Sequence, residues 1–377
     1  MADAAGERVA QAGERRLARV ESVRALAALA VLVGHLWVTA HPLEASWIYG
    51  NFWRRMVYGG TLGVWVFFAL TGYLLFWPFV RRDFGAGGRI DLRAYARNRA
   101  LRILPLYWFA IVLLLLIAVP HPTWTLWWRH LLLVQDFWRN SLAKVDGPLW
   151  SISVELQFYA LLPLLAWLLA RVARRSRVRA AVAVLVLATA AGVARQVLAL
   201  DVGDANQTVQ RFQIYTTFCF FAAGMLVALL RSAWEERPPK LLRGPLGSPA
   251  AWLAAALPLW IFSAWRFKLE LLCVPAGFLT VGAIVLPLRR WRPLAVLDAR
   301  PIALLGVVSY SLYVWHWPII THLNGGKDLM PSGFKAVLAA LVPLCVAVAA
   351  ISYLLIERPA LRLRRRWAPS SPAPGRQ

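Results

Sequence analysis

Arg24 and His35 stand eleven residues apart in the otherwise apolar stretch RALAALAVLVGH (24–35). At 100° per residue, eleven steps make three turns plus about 20°, so both side chains share one helix face, about 16 Å apart along the axis. An ionisable group inside an apolar helix costs on the order of 3 kcal/mol at the bilayer centre, so each needs a reason to be there. Arg24 suits either a functional role or a snorkelling anchor at the inner surface. His35 has fewer bland explanations, because an imidazole within a span faces a polar cavity or a partner, and it can serve as a base.

Glu155 in GPLWSISVELQFY (147–159) is the second such group. It sits about 9 Å inside the outer end of its span, the depth expected of His35. A carboxylate that meets an imidazole orients it and raises its basicity, as general-base catalysis requires. The same carboxylate equally suits a hydrogen bond that holds two helices together. Ser151 and Ser153 are close in sequence and able to hydrogen-bond across helices.

Arg99 and Arg102 in RNRALRILPLYW (97–108) are i,i+3 neighbours at the entrance to a span, so they form one cationic face. Guanidinium forks suit phosphate, although ordinary inner-surface anchoring explains most such arginines. His316 lies between Trp315 and Trp317 in SYSLYVWHWPI (309–319), where a histidine of an interfacial aromatic belt is expected. His41, His121, His130 and His322 fall in outer loops or at span ends without metal-ligand spacing, so no metal site is expected. Cys219, Cys273 and Cys345 are scattered in apolar segments and read as small buried hydrophobes, not a disulfide or zinc framework.

The elements that must position these groups are membrane helices. The 377 residues are 60% hydrophobic and only 16% charged, with a mean hydropathy of +0.56. The apolar residues come in blocks long enough to span a bilayer. About ten transmembrane helices are expected, near 22–40, 59–80, 103–119, 149–171, 180–198, 213–231, 250–265, 269–288, 303–321 and 334–356. The seventh is short and carries Pro258, a source of kinking. The fold class is therefore all-α, a polytopic helical membrane protein in the plasma or inner membrane.

A net charge of +24 raises nucleic-acid binding, but the basic residues lie in short clusters between apolar blocks, the positive-inside pattern. With the N-terminus inside, segments 1–24, 81–102, 171–179, 231–243, 289–300 and 358–377 carry 31 of the 42 Lys and Arg. Both termini are then cytoplasmic, and no nucleic-acid partner is expected. Residues 1–18 read as a polar cytoplasmic tail without the apolar core of a cleavable signal, so the first span serves as its own insertion signal. Residues 81–102 read as a cytoplasmic loop that becomes a surface helix, and 119–140, rich in Trp, as an outer interfacial helix. The basic, Pro- and Ser-rich segment 361–377 is expected to be a disordered cytoplasmic tail.

Six stretches, in order along the chain, resemble acyltransferase family 3, the integral-membrane acyl-CoA-dependent O-acyltransferases. They are the R-x10-H stretch (Arg24 to His35), GVWVFFALTGYLL (63–75), RALRILPLYW (99–108), LWSISVELQFYALLPLL (149–165), SYSLYVWHWPI (309–319) and ERP (357–359). Where the family more often has Ser-Gly-Phe or Ser-Gly-Tyr, this chain has Thr71-Gly72-Tyr73, which keeps the hydroxyl. The resemblance covers about 19–360 as the membrane acyltransferase domain and implies ten helices and acyl transfer from cytoplasmic acyl-CoA. By the R-x10-H motif it implies that His35 is catalytic with Arg24 as its companion. By the R-x-x-R motif it assigns Arg99 and Arg102 to the acyl donor. Some relatives carry a C-terminal hydrolase-like domain. None follows here, which implies direct transfer or hand-over to a separate extracytoplasmic partner.

The expected chemistry is transfer of an acyl group, acetyl foremost, from acyl-CoA to a hydroxyl of a sugar, cell-envelope glycan, lipid-linked sugar or glycosylated secondary metabolite. Acyl-CoA is a co-substrate and no metal is needed. Its phosphates would meet Arg99, Arg102 and Arg97. His35, oriented by Glu155, would deprotonate the acceptor; a variant makes His35 the nucleophile through an acyl-imidazole. Ser151, Thr71, Tyr159 and His316 are candidates for contacting substrate or a developing oxyanion. Two other classes remain: a transporter or flippase, which also buries charge along a path through helices, and a non-catalytic membrane sensor of the same fold.

Overall fold

A computed structural model describes residues 2–40, 51–85, 87–198, 209–286, 288–325 and 333–366. Among these there is no β-strand. Eight helical segments are long and apolar enough to cross a membrane: Arg16–Ala40, Phe52–Phe84, Leu92–Ile117, Gly147–Ala173, Arg177–Leu198, Val209–Glu236, Lys268–Val285 and Phe334–Leu363. A ninth is a bent pair, Arg300–Val307 and Ser309–Leu323, which meet at 65°. The remaining expected segment is Pro249–Trp265, 17 residues with Pro258 inside it. The protein is a multi-pass membrane protein, and apolar side chains such as Leu116, Ile117, Val186 and Val197 point out of the bundle where lipid replaces water.

The helices that matter for the site are α1 (Ala2–Ala40), α3 (Gly63–Phe84), α4 (Leu92–Ile117), α7 (Trp150–Ala173), α9 (Ile214–Glu236), α12 (Arg300–Val307), α13 (Ser309–Gly325) and α14 (Phe334–Ser352). A π-helical turn, Tyr353–Glu357, links α14 to α15 (Arg358–Arg366).

Three differences from the sequence expectation are local. Helix α1 begins at Ala2, so the polar leading segment continues the first span as helix. The surface helix and third span are one helix, α4, because Pro105 falls inside it without breaking it. Asp91 caps its start, accepting from the backbone amides of Arg93 and Ala94 at 2.9 and 3.1 Å. The Trp-rich outer segment is shorter than expected. It divides into α5 (Trp124–Leu131), a 3-10 turn and α6 (Arg139–Leu142), with Leu133 in a left-handed backbone conformation between them. Residues 367–377 of the expected tail, and His41, lie outside the described residues.

The tightest contact in the bundle is α3 against α9. A Cβ on Gly72 would lie 2.0 Å from the Phe221 carbonyl oxygen, and one on Gly224 would lie 1.8 Å from that of Ala69. Small residues at a crossing let two backbones approach, and dispersion then holds membrane helices together in the absence of a hydrophobic drive. Gly72 thus explains the glycine of Thr71-Gly72-Tyr73: it seats α3 so that Thr71 faces the interior. Phe68, Phe221 and Phe158 stack beside this crossing, with ring centroids 4.2 Å apart in each successive pair. A second apolar cluster joins α1, α13 and α14 through Leu32, Leu36, Leu312, Ile320, Leu341 and Cys345. Cys219, Cys273 and Cys345 are all buried and free.

Candidate active site

A cavity of about 340 Å³ lies between α1, α3, α4, α7 and α13. Leu17, largely exposed, marks one end of it. Helical spacing decides who lines it. Ser151, Glu155 and Tyr159 recur every four residues on one face of α7, and Arg99 and Arg102 share one face of α4. Arg97 lies two residues off that face and is not among the lining residues. Arg24 reaches the cavity from α1, its guanidinium 3.1 Å from the Glu21 carboxylate. Arg24 therefore points into the protein and is not a snorkelling anchor. The Nε of Arg99 and an Nη of Arg102 are buried with no hydrogen-bond partner among the described residues, and Arg99 stacks over the Tyr159 ring at 5.9 Å. Unsatisfied cationic donors beside a cavity are suited to an anion that completes them.

Glu155 does not hold His35. Its Oε1 accepts from the Thr71 hydroxyl at 2.6 Å and from the Tyr159 hydroxyl at 2.7 Å, and no hydrogen bond joins it to His35 among the described residues. Similar depth in the bilayer was insufficient, because Glu155 faces the arginine-lined side of its helix. Thr71 and Tyr159 thereby commit their hydrogens to a carboxylate. The Ser151 hydroxyl lies 2.8 Å from the Tyr313 hydroxyl and 3.1 Å from the Pro148 carbonyl.

The partner of His35 is His316. Nδ1 of His35 lies 2.9 Å from Nε2 of His316, and the rings stack with centroids 5.1 Å apart at 20°. Trp317 meets His35 edge-on at 5.1 Å. His316 is 1% exposed, so it is an interior residue and not a member of an aromatic belt. Its ring also lies 5.5 Å from that of Tyr313, which lines the cavity. Tyr313 lines the cavity one turn before His316 on α13, while His35 and His316 are not themselves among its lining residues. The break at Val308 helps to place Tyr313 there, since it re-aims α13 so that Ser309, Tyr310 and Tyr313 face inward.

Four buried carboxylates escaped the sequence reading. Glu357, from ERP, accepts a hydrogen bond from Ser311, and its other carboxylate oxygen has no partner among the described residues. The motif was visible, but nothing local indicated that a π turn would bury its carboxylate. Glu270 accepts from Trp65 at 3.0 Å, Arg195 at 2.8 Å and Arg211 at 2.7 Å. At the ends of the spans, Asp136 and Asp146 are buried in the segment that precedes α7. Burial pushes the Asp136 carboxyl up to about 6, while a 2.8 Å hydrogen bond from Gln157 acts in the opposite direction. Burial alone holds the Asp146 carboxyl well above the usual carboxylate range. No group of three or more His, Cys, Asp or Glu side chains placed to hold a metal occurs among the described residues.

A family model described as an acyltransferase domain matches residues 17–357. The chain is 30% identical over 227 residues to BcsY of Komagataeibacter xylinus, named as a membrane-bound transacylase, covering 58% of this chain and 52% of that protein. It is 24% identical over 370 residues to YrhL of Bacillus subtilis, named as a peptidoglycan O-acetyltransferase, covering 92% of this chain and 55% of that protein. It is 23% identical over 385 residues to the O-acetyltransferase OatA of Staphylococcus aureus, covering 92% of this chain and 57% of that protein. The chain thus spans about half the length of the curated relatives it matches. No solved structure matches it.

Proposed function

Because the chain belongs to acyltransferase family 3, whose acyltransferase-domain model covers residues 17–357, we propose that it transfers an acyl group from acyl-CoA to a hydroxyl of a cell-envelope glycan. The observation that carries this reading is the cavity itself. Arg24, Arg99 and Arg102 surround it, two of them with unused donors, and Tyr313 lines it one turn before His316 of the His35–His316 pair. Positive-inside charge bias puts the arginine-lined end at the cytoplasmic face of the plasma or inner membrane, where acyl-CoA is found, with both termini on that side.

In this reading Arg99 and Arg102 take the donor's phosphates, with Arg97 nearby on the same helix. The volume is within the range of small-molecule pockets and admits the thioester arm. Glu155, held by Thr71 and Tyr159, places a carboxylate opposite the cationic wall and balances its charge. His35 removes the proton from the acceptor hydroxyl as its oxygen attacks the thioester carbonyl. The tetrahedral intermediate collapses, the carbon–sulfur bond breaks, and the imidazolium returns the proton to the CoA thiolate. The hydroxyls of Thr71 and Tyr159 serve Glu155 and that of Ser151 serves Pro148 and Tyr313, so a developing oxyanion would have to draw Ser151 away from those partners. Acetyl as the acyl group, and a glycan as the acceptor, follow the names of the relatives.

The test is acyl transfer by the purified full chain in nanodiscs, with labelled acetyl-CoA and a panel of glycan acceptors. Labelled acceptor and free CoA that disappear with His35→Ala support the reading. Equal turnover in both proteins removes His35 from the chemistry. Absence of turnover with every donor, together with movement of acceptor across vesicle membranes, moves the protein to the transporter class.

A further inference from the structure

The contact between two imidazoles determines where their protons lie. The oxygen of a backbone carbonyl only accepts hydrogen bonds. Nδ1 of His316 lies 2.7 Å from the carbonyl oxygen of Tyr313, so Nδ1 of His316 carries a hydrogen. A neutral imidazole has a single N–H, which leaves Nε2 of His316 with a lone pair. That lone pair is 2.9 Å from Nδ1 of His35. Two lone pairs at this distance would repel, so Nδ1 of His35 carries the second hydrogen and donates it. Nε2 of His35 is then the one ring nitrogen of the pair left with a free lone pair.

We propose that His316 is a positioning residue that fixes the tautomer of His35 and leaves its Nε2 as the atom that takes the acceptor's proton. This rests on the acyl-transfer reading and deepens it. His316 occupies the place that a carboxylate takes in hydrolase triads, where the second residue holds the base in the productive tautomer and orientation. Here the acceptor is a neutral ring. It is itself anchored: Tyr313, whose carbonyl binds it, shares hydrogen bonds with Ser151 at 2.8 Å and Pro148 at 3.1 Å. Trp317 packs edge-on against His35 and restricts rotation of its ring. The arrangement joins α1, the start of α7 and α13, so the base is aimed by three elements. When Nε2 takes the acceptor's proton, both nitrogens of His35 carry hydrogen. The Nδ1–H bond to His316 strengthens as charge develops, and the same Nε2 proton is the one returned to the leaving thiolate.

The experiment is nitrogen NMR of the full chain in nanodiscs with ¹⁵N-labelled histidine, His35 being assigned by its loss in His35→Gln. The expected wild-type spectrum shows the His35 proton on Nδ1 and a bare Nε2. His316→Phe should shift His35 toward the Nε2–H form. It should also lower kcat by about 10²–10³-fold at an unchanged acyl-CoA KM, since loss of the correct tautomer costs about 10⁴-fold where the partner is charged. His316→Gln carries a carbonyl oxygen that can reach the former Nε2 position; it should restore the Nδ1–H form and most of kcat. A wild-type proton on Nε2 of His35 overturns the proposal, as does His316→Phe with unchanged tautomer and kcat. If His316→Phe does not fold, the wild-type spectrum and the His316→Gln protein decide the matter. The ring proton is read without turnover, so a wild-type protein that transfers no acyl group strikes the acyl-transfer reading alone.

Discussion

The Thr71 hydroxyl donates to the Glu155 carboxylate at 2.6 Å and ties α3 to α7 across the cavity. A hydrogen bond to a charged group contributes about 1.5–3 kcal/mol, and its loss leaves a carboxylate with one donor fewer. Thr71→Val is therefore expected to lower kcat/KM by about tenfold or more, while Thr71→Ser keeps the hydroxyl and retains most activity. Steady-state kinetics with labelled acyl donor on the three proteins checks this. Equal rates for valine and serine would show that the hydroxyl has no part in holding Glu155.

Arg99 and Arg102 bring buried donors without partners to the cavity wall. If they meet the donor's phosphates, Arg99→Gln and Arg102→Gln should each raise the KM for acyl-CoA by about tenfold with a smaller change in kcat. The same substitutions should weaken the salt dependence of donor binding. A fall in kcat alone would place these arginines near the reacting carbonyl.

Gly224 approaches the Ala69 carbonyl so closely that an added Cβ would fall 1.8 Å from it. The contact is with backbone, which cannot swing aside. Gly224→Ala should destabilise the bundle by at least about 1–3 kcal/mol through overpacking, seen as a lower melting temperature in detergent. A Cβ added at Gly88 would meet nothing within 4 Å, so Gly88→Ala serves as the control and should leave the melting temperature nearly unchanged.

Asp136 is buried, and its carboxyl is pushed up to about 6 from an ordinary value near 4. The folded state therefore favours the protonated form. The associated stability is fully present below about pH 4 and is lost as the pH rises through about 6, an effect of roughly 2–3 kcal/mol. Asp136→Asn cannot titrate and still presents an oxygen to Gln157. Melting curves from pH 4 to 7 should fall less steeply for Asp136→Asn than for the wild type. Parallel curves would mean that folding leaves the Asp136 carboxyl unshifted.

Local pattern accounts for much of the architecture. Apolar blocks separated by basic clusters specify membrane helices because both length and composition are read within one segment. The i,i+3 spacing of Arg99 and Arg102 and the i,i+4 spacing of Ser151, Glu155 and Tyr159 place each set on one face, and each set does line the cavity. Pro258 and the shortness of its segment were equally visible.

Partnerships were not legible in this way. His35 and His316 are 281 residues apart, and Arg195 and Glu270 are 75 apart. Periodicity indicates which face a residue occupies and nothing of the helix that will cover that face. Depth below the membrane surface suggested Glu155 for His35, but rotation about the helix axis turned Glu155 toward Thr71 and Tyr159. The bend at Val308 and the π turn at Tyr353–Glu357 have the same origin: each sets the direction of an already helical segment, and that direction is decided by packing against neighbours distant in the chain. Local pattern alone specifies a polytopic helical protein with an arginine pair and an intramembrane histidine. The packing of α13 against α1 is what sets a second histidine 2.9 Å from the first.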